Sequence, residues 1–138
     1  MTKRRDLFRI MSAALLHAMN GKAAGGKITN AVLGAKEARL QREKFGDLRV
    51  YFEGATEQLK SLTAGSLDLK PGMSPHAPHQ HAEEEIMLIT HGEGEISLDG
   101  KITKVAPGSM MYCAANRLHG VTNTGKTPLV FYYYKWIA

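Results

Sequence analysis

A chain of 138 residues has room for one domain with a genuine core, and its single cysteine, Cys113, excludes an internal disulfide and a thiolate-rich zinc site. The formal charge of +5 suggests a nucleic-acid or membrane partner, yet residues 1–27 carry six basic side chains against Asp6 alone, while the remainder has twelve of each sign. The basic character belongs to one segment, and no basic face interleaved with aromatics follows it, so nucleic-acid binding is not expected.

That segment begins MTKRRDLFRIMSAALLHAMNGKAAGG. Arg4-Arg5 with Asp6-Leu7-Phe8, the apolar stretch Ile10 to Met19 and the small residues Ala23 to Gly26 follow one another as in a twin-arginine export signal, which the segment resembles. A break after Gly25 would put Ala23 at the position that prefers a small side chain; a break after Ala24 would put Lys22 there. His17 interrupts the apolar stretch, and Leu7, Met11, Ala14, Leu15 and Ala18 recur at helical spacing, so an amphipathic helix is the competing expectation. A working signal implies a periplasmic or secreted protein; otherwise the protein is cytoplasmic. The stretch is too short for a permanent membrane span.

Residues 28–47 are charged and aperiodic after Val32-Leu33 and read as a linker or a short surface helix. The folded domain is expected over 48–138. Leu48 to Phe52 alternates and is rich in β-formers, so it predicts a strand. Leu59 to Leu69 holds two short apolar alternations around Gly65 before the Pro71-Gly72 turn.

The next segment, LKPGMSPHAPHQHAEEEIMLITHGEG, carries the chemistry. His79 and His81 lie two apart, so in an extended strand both imidazoles leave one face and can share a small ion. Glu85 would be ~13 Å from His81 along a straight strand, while donors sit ~2 Å from an ion. The chain must therefore bend between Ala82 and Glu84, and EIMLIT returns as a new strand. A fourth donor has to come from elsewhere, and His119 is the candidate. Glu83 and Glu84 read as solvated loop carboxylates. Six residues between Glu85 and Gly92 favour Glu85 as the ligand over Glu84.

Downstream, EGEISLDGKITKV predicts a hairpin with a two-residue Asp99-Gly100 turn. Pro107-Gly108 breaks the chain, SMMYCA is the next strand, Asn123 to Pro128 is a turn cluster, and LVFYYYKWI closes the domain. Short strands between turn signals, with no convincing helix after residue 47, predict an all-β sandwich or barrel with a non-β N-terminal segment.

Two motifs resemble those of the cupins. Gly72, His79-Gln80-His81, Glu85 and Gly92 follow the first, with six residues instead of five after the glycine. Gly108, His119 and Asn123 follow the second, except that Ala114 stands for its proline and Asn116 for its second glycine. Asn tolerates a left-handed backbone nearly as well as Gly does. The resemblance covers roughly Leu62 to Ile137 and implies a jelly-roll barrel, also described as a double-stranded β-helix. Only fifteen residues separate Gly92 from Gly108, enough for one hairpin, so the version is minimal.

His79, His81, Glu85 and His119 form a nitrogen/oxygen set suited to one divalent iron, manganese, nickel, copper or zinc ion. Met87 and Ile89 share strand parity with Glu85 and are expected on the pocket wall, with Ile96 and Leu98 from the hairpin. His76, in PHAPH, is the candidate proton carrier; exposure in a loop is its competing expectation. His91 is expected at the surface and Cys113 as a buried, inert thiol. Tyr132, Tyr133, Tyr134 and Trp136 lie on both faces of the last strand; some are expected in the core and one at the pocket or a dimer seam, and the parity does not decide which.

Cupins with these ligands include dioxygenases, isomerases and decarboxylases, which implies a metal-dependent enzyme acting on a small molecule. The alternatives are a non-catalytic small-molecule-binding module and a structural role. The last strand, if it lay at the domain's margin, would be an aggregation-prone edge, and a homodimer is expected to cover it.

Overall fold

The computed structural model describes residues 26–138. Residues 1–25, on which the expected export signal falls, lie outside them. The described residues form nine strands and no helix: β1 (Arg39–Glu43), β2 (Gly46–Gly54), β3 (Ser61–Leu69), β4 (Glu84–His91), β5 (Gly94–Leu98), β6 (Lys101–Val105), β7 (Met110–Cys113), β8 (His119–Thr122) and β9 (Leu129–Ile137). They build a six-stranded sheet in the order β1-β2-β3-β9-β4-β7 and a three-stranded sheet in the order β6-β5-β8.

Both sheets feed one core, and this makes the all-β jelly-roll barrel. Leu67, Leu69, Met87, Ile89, Met111, Leu129 and Phe131 come from the large sheet, and Ile96, Val105 and Val121 from the small one. Strand β4 shows the underlying pattern, with Glu85, Met87 and Ile89 buried and the residues between them more exposed. Full burial of a large apolar side chain such as Ile89 stabilises the fold by about 1.5–3 kcal/mol.

Turn chemistry sets the register. Asp99 and Gly100 both have positive φ, at 49° and 82°, which gives the β5–β6 hairpin a turn matched to the strand twist. Asn116 is left-handed, with φ 59°, where the motif's glycine would stand. Gly92 combines φ 80° with close approach: a Cβ there would lie 2.3 Å from the Pro128 carbonyl oxygen, so no other residue fits.

Asn123 is a fully buried polar anchor. Its Nδ2 donates to the carbonyls of Leu69 and Thr127, each at 2.9 Å, and its Oδ1 accepts from the Gly125 N–H at 3.0 Å. Its backbone holds the Pro71-Gly72 turn, accepting from the Gly72 N–H and donating to the Met73 carbonyl. The end of β3 and the 123–128 turn are thereby fixed to each other before the chain enters the histidine segment.

Two expectations are corrected. Residues 39–43 are neither linker nor helix but strand β1, paired with β2 from Arg39↔Val50 to Glu43↔Gly46. RLQRE carries a single apolar side chain because it is an edge strand with little to bury, so its hydrophobic pattern is faint. Strand β9 lies between β3 and β4, with both sides hydrogen-bonded. It is not an exposed edge, and the edges of its sheet are β1 and β7.

Candidate metal centre

His79 and His119 exchange backbone hydrogen bonds in an isolated antiparallel bridge, each N–H donating to the other's carbonyl at 2.9 Å. This sets the two imidazoles side by side. His81, two residues on, returns to the same face, and its carbonyl is held by the Asn116 N–H at 2.7 Å. One nitrogen from each of His79, His81 and His119 lies within 4.8 Å of the others.

Glu85, the second residue of strand β4, is buried. Its Oε2 is 3.0 Å from Nε2 of His81 and 3.0 Å from Nε2 of His119. Nδ1 of His81 donates to the Glu83 carbonyl at 3.1 Å, and Nδ1 of His119 donates to the Arg117 carbonyl at 3.0 Å. Those outer bonds place the ring protons on Nδ1 and orient both Nε2 atoms toward Glu85.

His79 titrates at about 4, pushed down chiefly by burial, with repulsion from His76, His119, His81 and Lys135 added. It is uncharged at neutral pH with a lone pair to offer. Three converging imidazoles and one buried carboxylate fit a first-row transition ion, and the histidine triad can hold one.

Glu84 does not join the centre, and it is not a solvated loop carboxylate. It accepts from the Tyr112 hydroxyl at 2.6 Å and from Trp136 Nε1 at 3.0 Å, tying together three adjacent strands. Glu83 approaches Nδ1 of His81 at 3.2 Å from outside. Cys113 is buried behind His119, its Sγ 3.4 Å from Nδ1, and burial followed by the Glu85 charge pushes the thiol up. His91 is exposed.

The triad opens into a cavity of about 450 Å³. Met87 lines it as expected from strand parity. Ile89 and Ile96 are buried in the core beyond it, and Leu98 packs against that core. The small sheet reaches the cavity through the edge strand β8, not through β5, and His119, Gly120 and Val121 form that wall. The opposite wall comes from Tyr133, whose parity the sequence left open, and from residues the sequence did not single out, including Leu48, Leu67, Phe131 and Lys135. Lys135, the only charge in an aromatic strand, was the available signal.

His76 is an exposed loop residue, as the competing expectation had it, and also lies at the cavity wall, its ring stacked on that of His79 with centroids 3.6 Å apart. Its Nδ1 donates to the Ala77 carbonyl at 2.8 Å. Tyr133 lies across β3 at Gly65, where a Cβ would come within 2.5 Å of the hydroxyl, so the missing side chain makes room for the ring. Burial, then the charges of Glu53 and Glu85, push Tyr133 up to about 12.

The cupin domain family matches residues 65–134, just over half of the chain. The chain belongs to the cupin family. Solved structures agree in fold. An RmlC-like cupin from Shewanella frigidimarina is 16% identical, with 80% of this chain and 93% of that one covered at a TM-score of 0.62. KdgF from a Halomonas species is 21% identical, with 78% and 94% covered and a TM-score of 0.61. A predicted oxalate decarboxylase from Thermotoga maritima is 22% identical, with 78% and 100% covered and a TM-score of 0.61. At such identities the likeness concerns the fold. No helix of the described residues is long and apolar enough to cross a membrane.

Proposed function

We propose that this cupin is a metal-dependent enzyme acting on a small molecule, with one divalent ion held by His79, His81, His119 and Glu85. The observation that carries this is the convergence of three imidazole nitrogens within 4.8 Å, with Glu85 Oε2 at 3.0 Å from two of them, on the wall of a 450 Å³ cavity. A bound ion would supply Lewis acidity toward a substrate oxygen, or activation of dioxygen. The apolar wall of Leu48, Leu67, Met87 and Phe131 excludes water and receives the body of the substrate. His76, whose Nε2 makes no hydrogen bond among the described residues and whose ring lies on His79, would carry a proton between cavity and solvent. Dioxygenase, isomerase and decarboxylase chemistry all remain compatible with this arrangement.

The homodimer keeps a physical basis at another place. Met110 and Tyr112 on the edge strand β7 are 65% and 55% exposed, and a second copy would cover them.

The test is a metabolite screen on protein loaded with each candidate ion, with and without dioxygen. Turnover that falls in His76→Ala at unchanged metal content supports an enzyme with His76 as proton carrier. A molecule that binds tightly, is blocked by Met87→Trp and is returned unchanged under all conditions would make the protein a binding module.

A further inference from the structure

Lys135 is the cross-strand neighbour of Glu85, on the same inner face, and its side chain lines the cavity beside the triad. It makes no ion pair within 4.0 Å among the described residues. The carboxylate directly opposite it, Glu85, is already engaged with His81 and His119. Among the described residues that line the cavity, Glu85 is the only carboxylate and Lys135 the only lysine or arginine.

A divalent ion at the triad would therefore leave the cavity with an excess of two positive charges, or one if Glu83 behind His81 is counted. Positive charge lined by Phe45, Leu48, Leu67 and Phe131 is stabilised when an anion enters with it. We infer that the ligand of this cavity is a carboxylate with an apolar body, its negative end held between Lys135 and the metal centre and its body against Leu48, Leu67 and Phe131. The inference rests on the metal centre proposed above. Lys135 acts as a specificity-determining residue: it selects the carboxylate over a neutral molecule of the same shape. A charge-assisted hydrogen bond inside such a cavity changes affinity by about tenfold or more.

The test uses phenylacetate and its neutral isostere phenylacetamide, titrated calorimetrically into zinc-loaded protein, with metal content measured on the same samples. Wild type should bind the carboxylate about ten times more tightly than the amide. Lys135→Gln should bring that ratio near one while keeping one ion per chain, and Lys135→Arg should preserve it. Full metal content with the same ratio in wild type and Lys135→Gln would overturn the inference alone. Failure of the wild type to take up the ion would overturn the metal centre, and this inference with it.

Discussion

Asn123 is the residue on which the two halves of the site are pinned, and its removal has a calculable cost. Asn123→Ala deletes three hydrogen bonds, to Leu69, Thr127 and Gly125. Each contributes a net ~1 kcal/mol. The Leu69 carbonyl belongs to a residue with no exposure, so it loses a partner that water does not readily replace. An orphaned buried group of this kind costs about 1–3 kcal/mol. The backbone bonds to Gly72 and Met73 survive the substitution and limit the damage. With the Thr127 and Gly125 bonds at ~1 kcal/mol each and the Leu69 carbonyl at about 1–3 kcal/mol, the sum is a loss of roughly 3–5 kcal/mol, a large part of the 5–15 kcal/mol typical of a domain. Urea unfolding followed by circular dichroism should show a lower midpoint with an unchanged slope. Asn123 is not a ligand, so metal stoichiometry should stay at one in the folded variant at low temperature. A loss below about 1 kcal/mol would show that the anchor has been overestimated.

Tyr133 makes stability depend on alkaline pH. Its folded value of about 12 lies above the ordinary 10, so its contribution is complete below pH 10 and is lost as pH rises from 10 to 12. Wild type should lose about 2 kcal/mol more than Tyr133→Phe across that window in urea melts; parallel curves for the two proteins would exclude this origin. Arg4→Lys combined with Arg5→Lys should retain the protein inside the cell if the N-terminal segment is an export signal. A wild type that stays cytoplasmic with Met1 or Thr2 at its N-terminus would identify the segment as something else. Light scattering should give a dimeric mass that falls to the monomer in Met110→Lys with Tyr112→Lys, and a monomeric wild type would remove that expectation.

Much of the site was legible because backbone geometry and ligand spacing are local properties. Asp99-Gly100 and Asn116 adopt the left-handed conformations their chemistry allows. The count from Glu85 to Gly92 separates the buried carboxylate from Glu84. What was not legible depends on which strands meet. Strand β9 carries large apolar or aromatic side chains on both faces, with Lys135 the one polar marker, so it takes the pairing with β4 to establish that Phe131, Tyr133 and Lys135 face inward. HGVT, strand β8, is four residues long with three of them buried, too short to show a period of two. Its place at the edge of the small sheet is why the cavity wall holds Val121 and not Ile96 or Leu98. Glu84 looked solvated because its partners, Tyr112 and Trp136, lie 28 and 52 residues away in the chain.

The central claim is that four side chains, drawn from two distant segments, hold one ion. Elemental analysis of natively purified wild type, His81→Ala, His119→Ala and Glu83→Ala tests it directly. One first-row transition ion per chain in wild type and Glu83→Ala, with little or none in the two histidine variants, is the predicted result. Full occupancy in His119→Ala, or no ion in wild type after loading with each candidate metal, would contradict it.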